Sequence, residues 1–155
     1  MGLTKLQGQA AQDLFDRGLI VMPCKKKRPW YSGWQKLEKS VDDIRLWNEA
    51  TCFSILTGKK SQVTVIDVDA PDREGFDKFW KEMKLEPTTT VETPSGGLHL
   101  YYKYDERLKQ TQGLGKLAID VRNDGGQIVA PGSPYDTDKE EKKKFNGIEY
   151  KLTIG

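Results

Sequence analysis

The chain has few of the residues from which structural zinc sites and disulfide frameworks are built. Its 155 residues include two cysteines, Cys24 and Cys52, and a single histidine, His99. The cysteines are far apart in sequence and form no Cys-x-x-Cys pair, which argues against a structural zinc site. A chain of this length buries about two thirds of the surface that its unfolded form exposes, so one domain can fold without a disulfide.

Long apolar runs are also missing. No stretch approaches the roughly 20 apolar residues that a membrane span requires, and the N-terminus lacks the pattern of a signal peptide. We therefore expect a cytoplasmic protein with no membrane partner.

Charge of one sign is not in excess, because 25 basic residues face 23 acidic ones and the net charge is +2. Total charge therefore does not indicate a nucleic-acid-binding protein. The exception is segment 24–39, in which six lysines or arginines and three aromatic residues accompany one acid. Because basic side chains bind phosphates and rings stack on bases, the candidates for such contacts are Lys27, Arg28, Trp30 and Trp34. A solvated loop anchored to the core by its aromatic rings would give the same pattern.

The most informative stretch is residues 62–69, a β-branched run that ends in Asp67-Val68-Asp69. Such a run predicts a buried strand. Because side chains alternate along a strand, Asp67 and Asp69 share one face and Val68 lies on the other. Neighbouring carboxylates resist joint ionisation unless a cation lies between them, so the pair indicates a divalent metal site with oxygen ligands. The alternative is a charged strand end that faces solvent.

The remaining periodicity predicts an α+β domain in which helices flank a mixed or antiparallel sheet. Helices are expected over about residues 4–18, 40–48 and 73–83, and strands over about 19–22, 52–56, 88–93, 98–104, 117–122, 127–130 and 148–154. Short polar turns predict that the strand at 52–56 pairs with the central strand and that the turn at 123–126 closes a hairpin. Segment 136–144 is charged and is expected to be a surface loop.

Three stretches, in this order, resemble one known pattern: Ile-Asp-Val-Asp at 66–69, Thr-Pro-Ser-Gly-Gly-Leu-His-Leu-Tyr at 93–101, and Ile-Asp-Val-Arg-Asn-Asp-Gly-Gly-Gln-Ile-Val-Ala-Pro-Gly-Ser at 119–133. Together they resemble the bifunctional primase-polymerase domain of the archaeo-eukaryotic primase superfamily, found in phage and plasmid replication proteins. Lys-Arg-Pro at 27–29 and Leu-Thr-Gly at 56–58 agree with it. Gln127 departs from the pattern where relatives often carry an aromatic residue, and Gly132 where they often carry proline.

The resemblance also implies an architecture. One catalytic domain would contain an N-terminal α/β portion of about residues 1–60 and a palm of about residues 61–155 similar to an RNA-recognition motif. The chain would be a fragment of a larger replication protein with a covalent or associated helicase and a C-terminal helical domain, located in the host cytoplasm if a phage encodes it.

The activity that the resemblance implies is template-directed nucleotidyl transfer from dNTPs or NTPs to a primer on a DNA template. Asp67, Asp69 and Asp120 would hold two Mg²⁺ or Mn²⁺ ions, an arrangement that suits phosphoryl transfer. In the family, the serine and histidine that match Ser95 and His99 contact the incoming nucleotide. A lone histidine also serves often as a purely structural residue.

Further nucleotide contacts are expected around these residues. Glycines at 96 and 97 would leave backbone N–H groups accessible to phosphate, and Gly96 is assigned to the nucleotide site with Ser95. Arg122 lies on the face of Asp120 and either clamps a phosphate or forms an ion pair with an aspartate. Thr57 would lie beside the site if the strand at 52–56 pairs with the central strand.

Two other functions are compatible with parts of the sequence. Asp-x-Asp after an apolar strand also occurs in haloacid-dehalogenase-like phosphatases and in some glycosyltransferases. Pro71 stands where the phosphatase pattern has threonine, and that function gives no role to the Ser-Gly-Gly-x-His stretch. A non-catalytic nucleic-acid-binding module of a replication protein is the other alternative, and the three acids argue against it.

Overall fold

A computed structural model of the chain describes residues 2–69, 73–111 and 119–154. These ranges contain three α-helices, α1 (Lys5–Asp16), α2 (Ile44–Glu49) and α3 (Arg73–Met83), and two 3-10 helices, Trp34–Lys36 and Glu140–Phe145. The strands are β1 (Val21–Cys24), β2 (Cys52–Leu56), β3 (Val63–Val68), β4 (Thr89–Glu92), β5 (Leu98–Lys103), β6 (Ile119–Arg122), β7 (Gln127–Val129) and β8 (Lys151–Ile154). None of the described helices is long and apolar enough to span a bilayer.

The first sheet is three-stranded and antiparallel, in the order β1-β2-β7. The first strand was expected to end at about residue 22, before Pro23, but Pro23 lies inside β1 and pairs with Phe53. This position is tolerated because β1 is an edge strand, where a missing N–H removes no bond to a further strand. β7 follows β6 in sequence and yet pairs with β2, so this sheet combines both of the expected portions of the chain.

The second sheet is five-stranded and antiparallel, in the order β6-β3-β5-β4-β8. Its first four strands, with α3 between β3 and β4, have the strand order of a split β-α-β-β unit. The expected α+β class with a palm similar to an RNA-recognition motif is therefore confirmed.

The two faces of the five-stranded sheet have different partners. One face packs against α3, where Phe76 and Phe79 contact Ile66, Val68 and Leu100. The other face contributes Val65 to a core that it shares with the three-stranded sheet and α1. Because side chains alternate along β3, Asp67 lies on the same face as Val65, and the apolar contacts of α3 fix which way it points.

Two expected strand pairings are wrong. β2 does not pair with β3, and β6 forms no hairpin with β7, because in both places the chain crosses from one sheet to the other. β5 and β6 occupy both edges of β3, which leaves only an isolated bridge from Gly58 to Val63. The polar turns that suggested local pairing are therefore crossover connections.

The two crossover connections pack against each other. The N–H of Thr57 donates to the carbonyl of Gly126 at 3.0 Å, and the N–H of Lys59 donates to Asp124 Oδ1 at 2.9 Å. Gly58 has φ +100°, and a Cβ there would lie 2.7 Å from the backbone of Asp124. A glycine is required at this crossing because the approach leaves no room for a side chain.

Asn123 is the polar centre of this crossing and is fully buried. Its Oδ1 accepts from Thr64 Oγ1 at 2.9 Å, and its Nδ2 donates to the carbonyls of Asp105 and Leu108. Its backbone N–H donates to Gln110 Oε1 at 2.8 Å. One side chain therefore connects β3, the start of the crossing to β7, and the segment that follows β5.

We predict that Asn123→Ala lowers the free energy of unfolding by about 3 kcal/mol, because two part-buried carbonyls lose their donor and the buried Thr64 hydroxyl loses its acceptor. Urea denaturation followed by tryptophan fluorescence measures the change. Asn48→Ala, at an exposed position of α2, is the matched control and should change stability by less than about 0.5 kcal/mol. Equal effects of the two substitutions would contradict this role of Asn123.

Candidate active site

An acidic row, formed by Asp67, Asp69 and Asp120, lies on and just beyond β3 and on the adjacent β6, beside His99 of β5. Asp67 in β3 is directly opposite His99 in β5 on one side and Asp120 in β6 on the other. Directly opposed residues project to the same face, so these three side chains stand side by side. Asp69 follows β3 and is exposed.

Arg122 partly neutralises the row, and His99 lies against it. Arg122 Nη2 lies 3.0 Å from Asp120 Oδ2 and 3.5 Å from Asp67 Oδ2. His99 Nε2 lies 3.4 Å from Asp67 Oδ1. The ion pair that sequence analysis left open for Arg122 is therefore present, and one guanidinium serves two carboxylates.

The pKa values of the two aspartates at the end of β3 shift in opposite directions. Burial alone would raise the pKa of Asp67, but the hydrogen bond from His99 and the charge of Arg122 outweigh it and hold the pKa below its ordinary value. Desolvation and the negative charge of Asp67 raise the pKa of Asp69, although the positive charges of Lys142 and Lys27 oppose the shift. One carboxylate is thus stabilised in its charged form and its neighbour is not.

The donor set suits a hard divalent cation. Three carboxylates supply oxygen ligands of the kind that Mg²⁺ and Mn²⁺ prefer, and one guanidinium does not balance three negative charges. Within the described ranges, no three acidic, histidine or cysteine side chains already converge as a metal site, and Asp67 and Asp120 are both engaged by Arg122. The carboxylates are therefore suitable ligands for Mg²⁺ or Mn²⁺. To bind such ions, Asp67 and Asp120 would have to exchange their contacts with Arg122.

A cleft of about 450 Å³ lies over the acidic row. It brings together nine residues that sequence analysis had singled out: Lys27, Arg28, Asp67, Asp69, Ser95, His99, Asp120, Arg122 and Gln127. Three buried polar atoms of these residues have no hydrogen-bond partner in the described part of the chain: His99 Nδ1, Arg122 Nε and Gln127 Oε1. Buried polar atoms are rarely left unpaired in folded proteins, so their concentration here suits a site that binds a polar ligand.

The turn before β5 differs from expectation. The N–H of Gly96 donates to the carbonyl of Thr93 at 2.9 Å, and the N–H of Gly97 donates to Thr93 Oγ1 at 2.8 Å. Neither glycine therefore offers its N–H to a phosphate in this conformation, because both bonds stabilise the turn itself. Ser95 borders the cleft, with its hydroxyl 3.4 Å from that of Thr93.

His99 is both a packed residue and a site residue. It is 5% exposed, and its ring stacks on Tyr150 with centroids 5.6 Å apart. The same ring places Nε2 beside Asp67. Its contact with a nucleotide stays a prediction.

Thr57, Trp30 and Trp34 do not line the cleft. Thr57 is 2% exposed and donates from Oγ1 to the carbonyl of Asn123 at 2.7 Å; its expected place beside the site was wrong because β2 does not pair with β3. Trp34 packs against Ile20, Met22 and Leu56. It therefore anchors its loop to the core, which was the alternative to stacking on a base. Trp30 remains 37% exposed, with Lys25 Nζ 4.4 Å from its ring centroid.

Sequence analysis missed one wall of the cleft. Segment 136–144 was expected to be a surface loop, but it includes a 3-10 helix, and its neighbourhood supplies Tyr135, Thr137, Lys139, Lys142 and Tyr150 to the cleft. Mixed acids and lysines are typical of a solvated surface, so no local pattern marked this segment. Its buried Thr137, held by Asn146 through bonds of 2.9 and 3.0 Å, fixes its position.

A comparison with known families agrees with this geometry. A family model described as "Bifunctional DNA primase/polymerase, N-terminal" matches residues 11–145. No curated protein matches the chain in a sequence search. Since the family match spans nearly the whole chain and includes the complete acidic row, the chain belongs to the bifunctional DNA primase/polymerase family, whose activity is nucleotidyl transfer on nucleotides and nucleic acids.

Proposed function

We propose that the cleft over the acidic row catalyses template-directed nucleotidyl transfer. A dNTP or NTP would be joined to a primer on a DNA template, with release of pyrophosphate. The observation that carries the proposal is the register of β3 and β6, which opposes Asp67 and Asp120 below a cleft bordered by lysines and arginines. Phosphoryl transfer needs mainly positioning and charge stabilisation, and this cleft offers both.

The three aspartates would hold two Mg²⁺ or Mn²⁺ ions. Bound ions of this kind supply activation of a primer 3'-hydroxyl and neutralisation of phosphate charge. His99 would hold Asp67 in the orientation that metal binding requires. Its Nε2 contacts Asp67 Oδ1, while Arg122 contacts Asp67 Oδ2. Asp69 lies at the open end of the row.

The basic residues around the row would bind the triphosphate. Arg122 can transfer donors from Asp67 and Asp120 to a phosphate, because a guanidinium forms paired bonds with either group. Lys27, Ser95 and Lys142 border the same cleft. Arg28 and the exposed Trp30 would contact the template backbone and bases.

The proposal extends beyond the described domain. In a longer replication protein, a helicase and a C-terminal helical domain would supply template opening and help to begin primers.

The first test is extension of a labelled primer on a DNA template with dNTPs and Mg²⁺ or Mn²⁺. Asp67→Asn and Asp120→Asn should each lower the rate by about 100-fold or more, because each removes a carboxylate that would hold the cations that stabilise the negative charge of the transition state. Chelation of divalent ions should abolish extension. The matched control is Asp77→Asn, an exposed residue of α3 on the opposite face of the sheet, which should extend primers at the wild-type rate. Metal-independent DNA binding without extension by the wild type would support a non-catalytic module.

A second test uses the opposite pKa shifts of Asp67 and Asp69. A lowered folded-state pKa means that ionised Asp67 stabilises the fold above its unfolded-state pKa, a contribution lost as pH falls through the folded-state pKa. A raised folded-state pKa means that ionised Asp69 destabilises the fold at neutral pH. With chelator at pH 7, Asp67→Asn should therefore lower the melting temperature and Asp69→Asn should raise it, although both lose activity.

Differential scanning calorimetry measures both changes. As pH falls below about 3.9, the unperturbed pKa of aspartate, the gain from Asp69→Asn should disappear because the wild-type carboxyl is then protonated too. Shifts of the same sign at pH 7 would contradict the charge distribution described for the row.

A further inference from the structure

The turn that follows β1 places two lysines in a backbone conformation that lysine rarely adopts. Lys26 has φ +50° and Lys27 has φ +72°. They are the central pair of a tight turn closed by two backbone hydrogen bonds between Lys25 and Arg28, at 3.0 and 3.2 Å. Turns with positive φ at both central positions usually contain asparagine, aspartate or glycine. Strained residues persist where the surrounding structure holds them, often at functional sites.

Three separate segments hold this turn. Asp136 accepts from the backbone N–H of Lys26 at 2.8 Å and from its Nζ at 3.0 Å. Gln127 Nε2 donates to the carbonyl of Lys27 at 3.0 Å, and the N–H of Lys27 donates to Cys52 Sγ at 3.4 Å. The backbone of Lys27 is therefore fixed on both sides.

The side chain of Lys27 ends on Tyr135. Its Nζ donates to the Tyr135 hydroxyl at 2.7 Å and lies 3.9 Å from the centroid of the same ring. Tyr135 is 3% exposed and stacks on Tyr150, which stacks on His99 beside Asp67. A row of three rings thus connects the ammonium group to the acidic row.

Tyr135 holds the ammonium without neutralising it. No acidic side chain in the described ranges forms a salt bridge with Lys27, whereas Lys26 is paired with Asp136. A hydroxyl and a ring face attract a cation but carry no formal charge. Apart from its longer-range attraction to Asp69, the positive charge of Lys27 therefore stays available to an anion that enters the cleft.

We propose that Tyr135 is a positioning residue that presents the Lys27 ammonium to the triphosphate of the incoming nucleotide. This proposal rests on the proposed function for the identity of the anion. The strained turn fixes where Lys27 leaves the backbone, and Tyr135 fixes where the side chain ends. On nucleotide binding, Nζ would donate a charge-assisted hydrogen bond to a phosphate oxygen, and because its position is already fixed, little side-chain entropy is lost.

The test compares Tyr135→Phe, Lys27→Met and the double variant. Tyr135→Phe retains the buried ring and the stacking but removes the hydroxyl that accepts from Nζ. Calorimetric titration with inorganic tripolyphosphate in the presence of Mg²⁺ measures anion binding directly, and primer extension gives KM for dNTP and kcat. Tyr104→Phe removes a hydroxyl bonded to Asp124 and is the matched control.

We expect each single variant to raise the Kd for tripolyphosphate and the KM for dNTP about tenfold, as for loss of one charge-assisted hydrogen bond. The double variant should be no weaker than Lys27→Met alone, because Tyr135 acts through Lys27. kcat and the control should be unchanged. Additive losses, an unchanged Kd in Tyr135→Phe, or a wild type that does not bind tripolyphosphate would overturn the inference.

The same experiment separates the inference from the proposed function. A wild type that binds tripolyphosphate with the expected pattern of variants but extends no primer would contradict the proposed function and support the role of Tyr135. If the wild type extends primers but Tyr135→Phe does not change KM, the result would support the proposed function and contradict the role of Tyr135.

Discussion

The register of β5, β3 and β6 is the constraint on which the site depends, because it opposes Asp67 to His99 and to Asp120. Like charges directly opposed across strands destabilise a sheet, and Arg122 only partly compensates them. The strands are held in this register from the other face, where α3 covers Ile66 and its neighbours with aromatic rings. Apolar packing against α3 on one face of the sheet therefore keeps the carboxylates close together on the other face. A bound cation, alone or with a phosphate, would reduce the repulsion between them.

Both sheets supply charged residues to the cleft. The five-stranded sheet supplies the acidic row and Arg122, and the turn after β1 in the three-stranded sheet supplies Lys27 and Arg28. The crossover connections near Gly58 and Asn123 tie the two sheets together. Because Thr57 and Asn123 of these connections are buried and hydrogen-bonded to each other, the positions of the basic turn and of the acidic row are set by the fold itself. A cleft of this kind presents charges of both signs to a ligand, and the contacts that would have to exchange on binding are those of Arg122 with Asp67 and Asp120.

The sequence alone predicted the features that local periodicity controls. The run that ends at Asp67 and Asp69 gave the central strand and its face, and the aromatic spacing gave α3. Prediction from the sequence failed where the structure depends on pairing between distant segments. A polar turn has the same sequence pattern whether it closes a hairpin or connects two sheets. Thr57 was misplaced for that reason. Lys142 and Tyr135 were missed because only tertiary structure brings segment 136–144 to the cleft, and the glycine N–H groups were misjudged because their partner, Thr93, completes the turn locally.

Templated nucleotidyl transfer at the acidic row, as proposed above, can be measured through the pyrophosphate that it releases. One dNTP at a time is supplied to a primer whose next template base is known, and pyrophosphate release by wild type and Asp120→Asn is compared. Release is expected with the complementary dNTP, little release with the others, and loss of release in Asp120→Asn. Release that ignores the template base, or that persists at the wild-type rate in Asp120→Asn, would contradict the proposal.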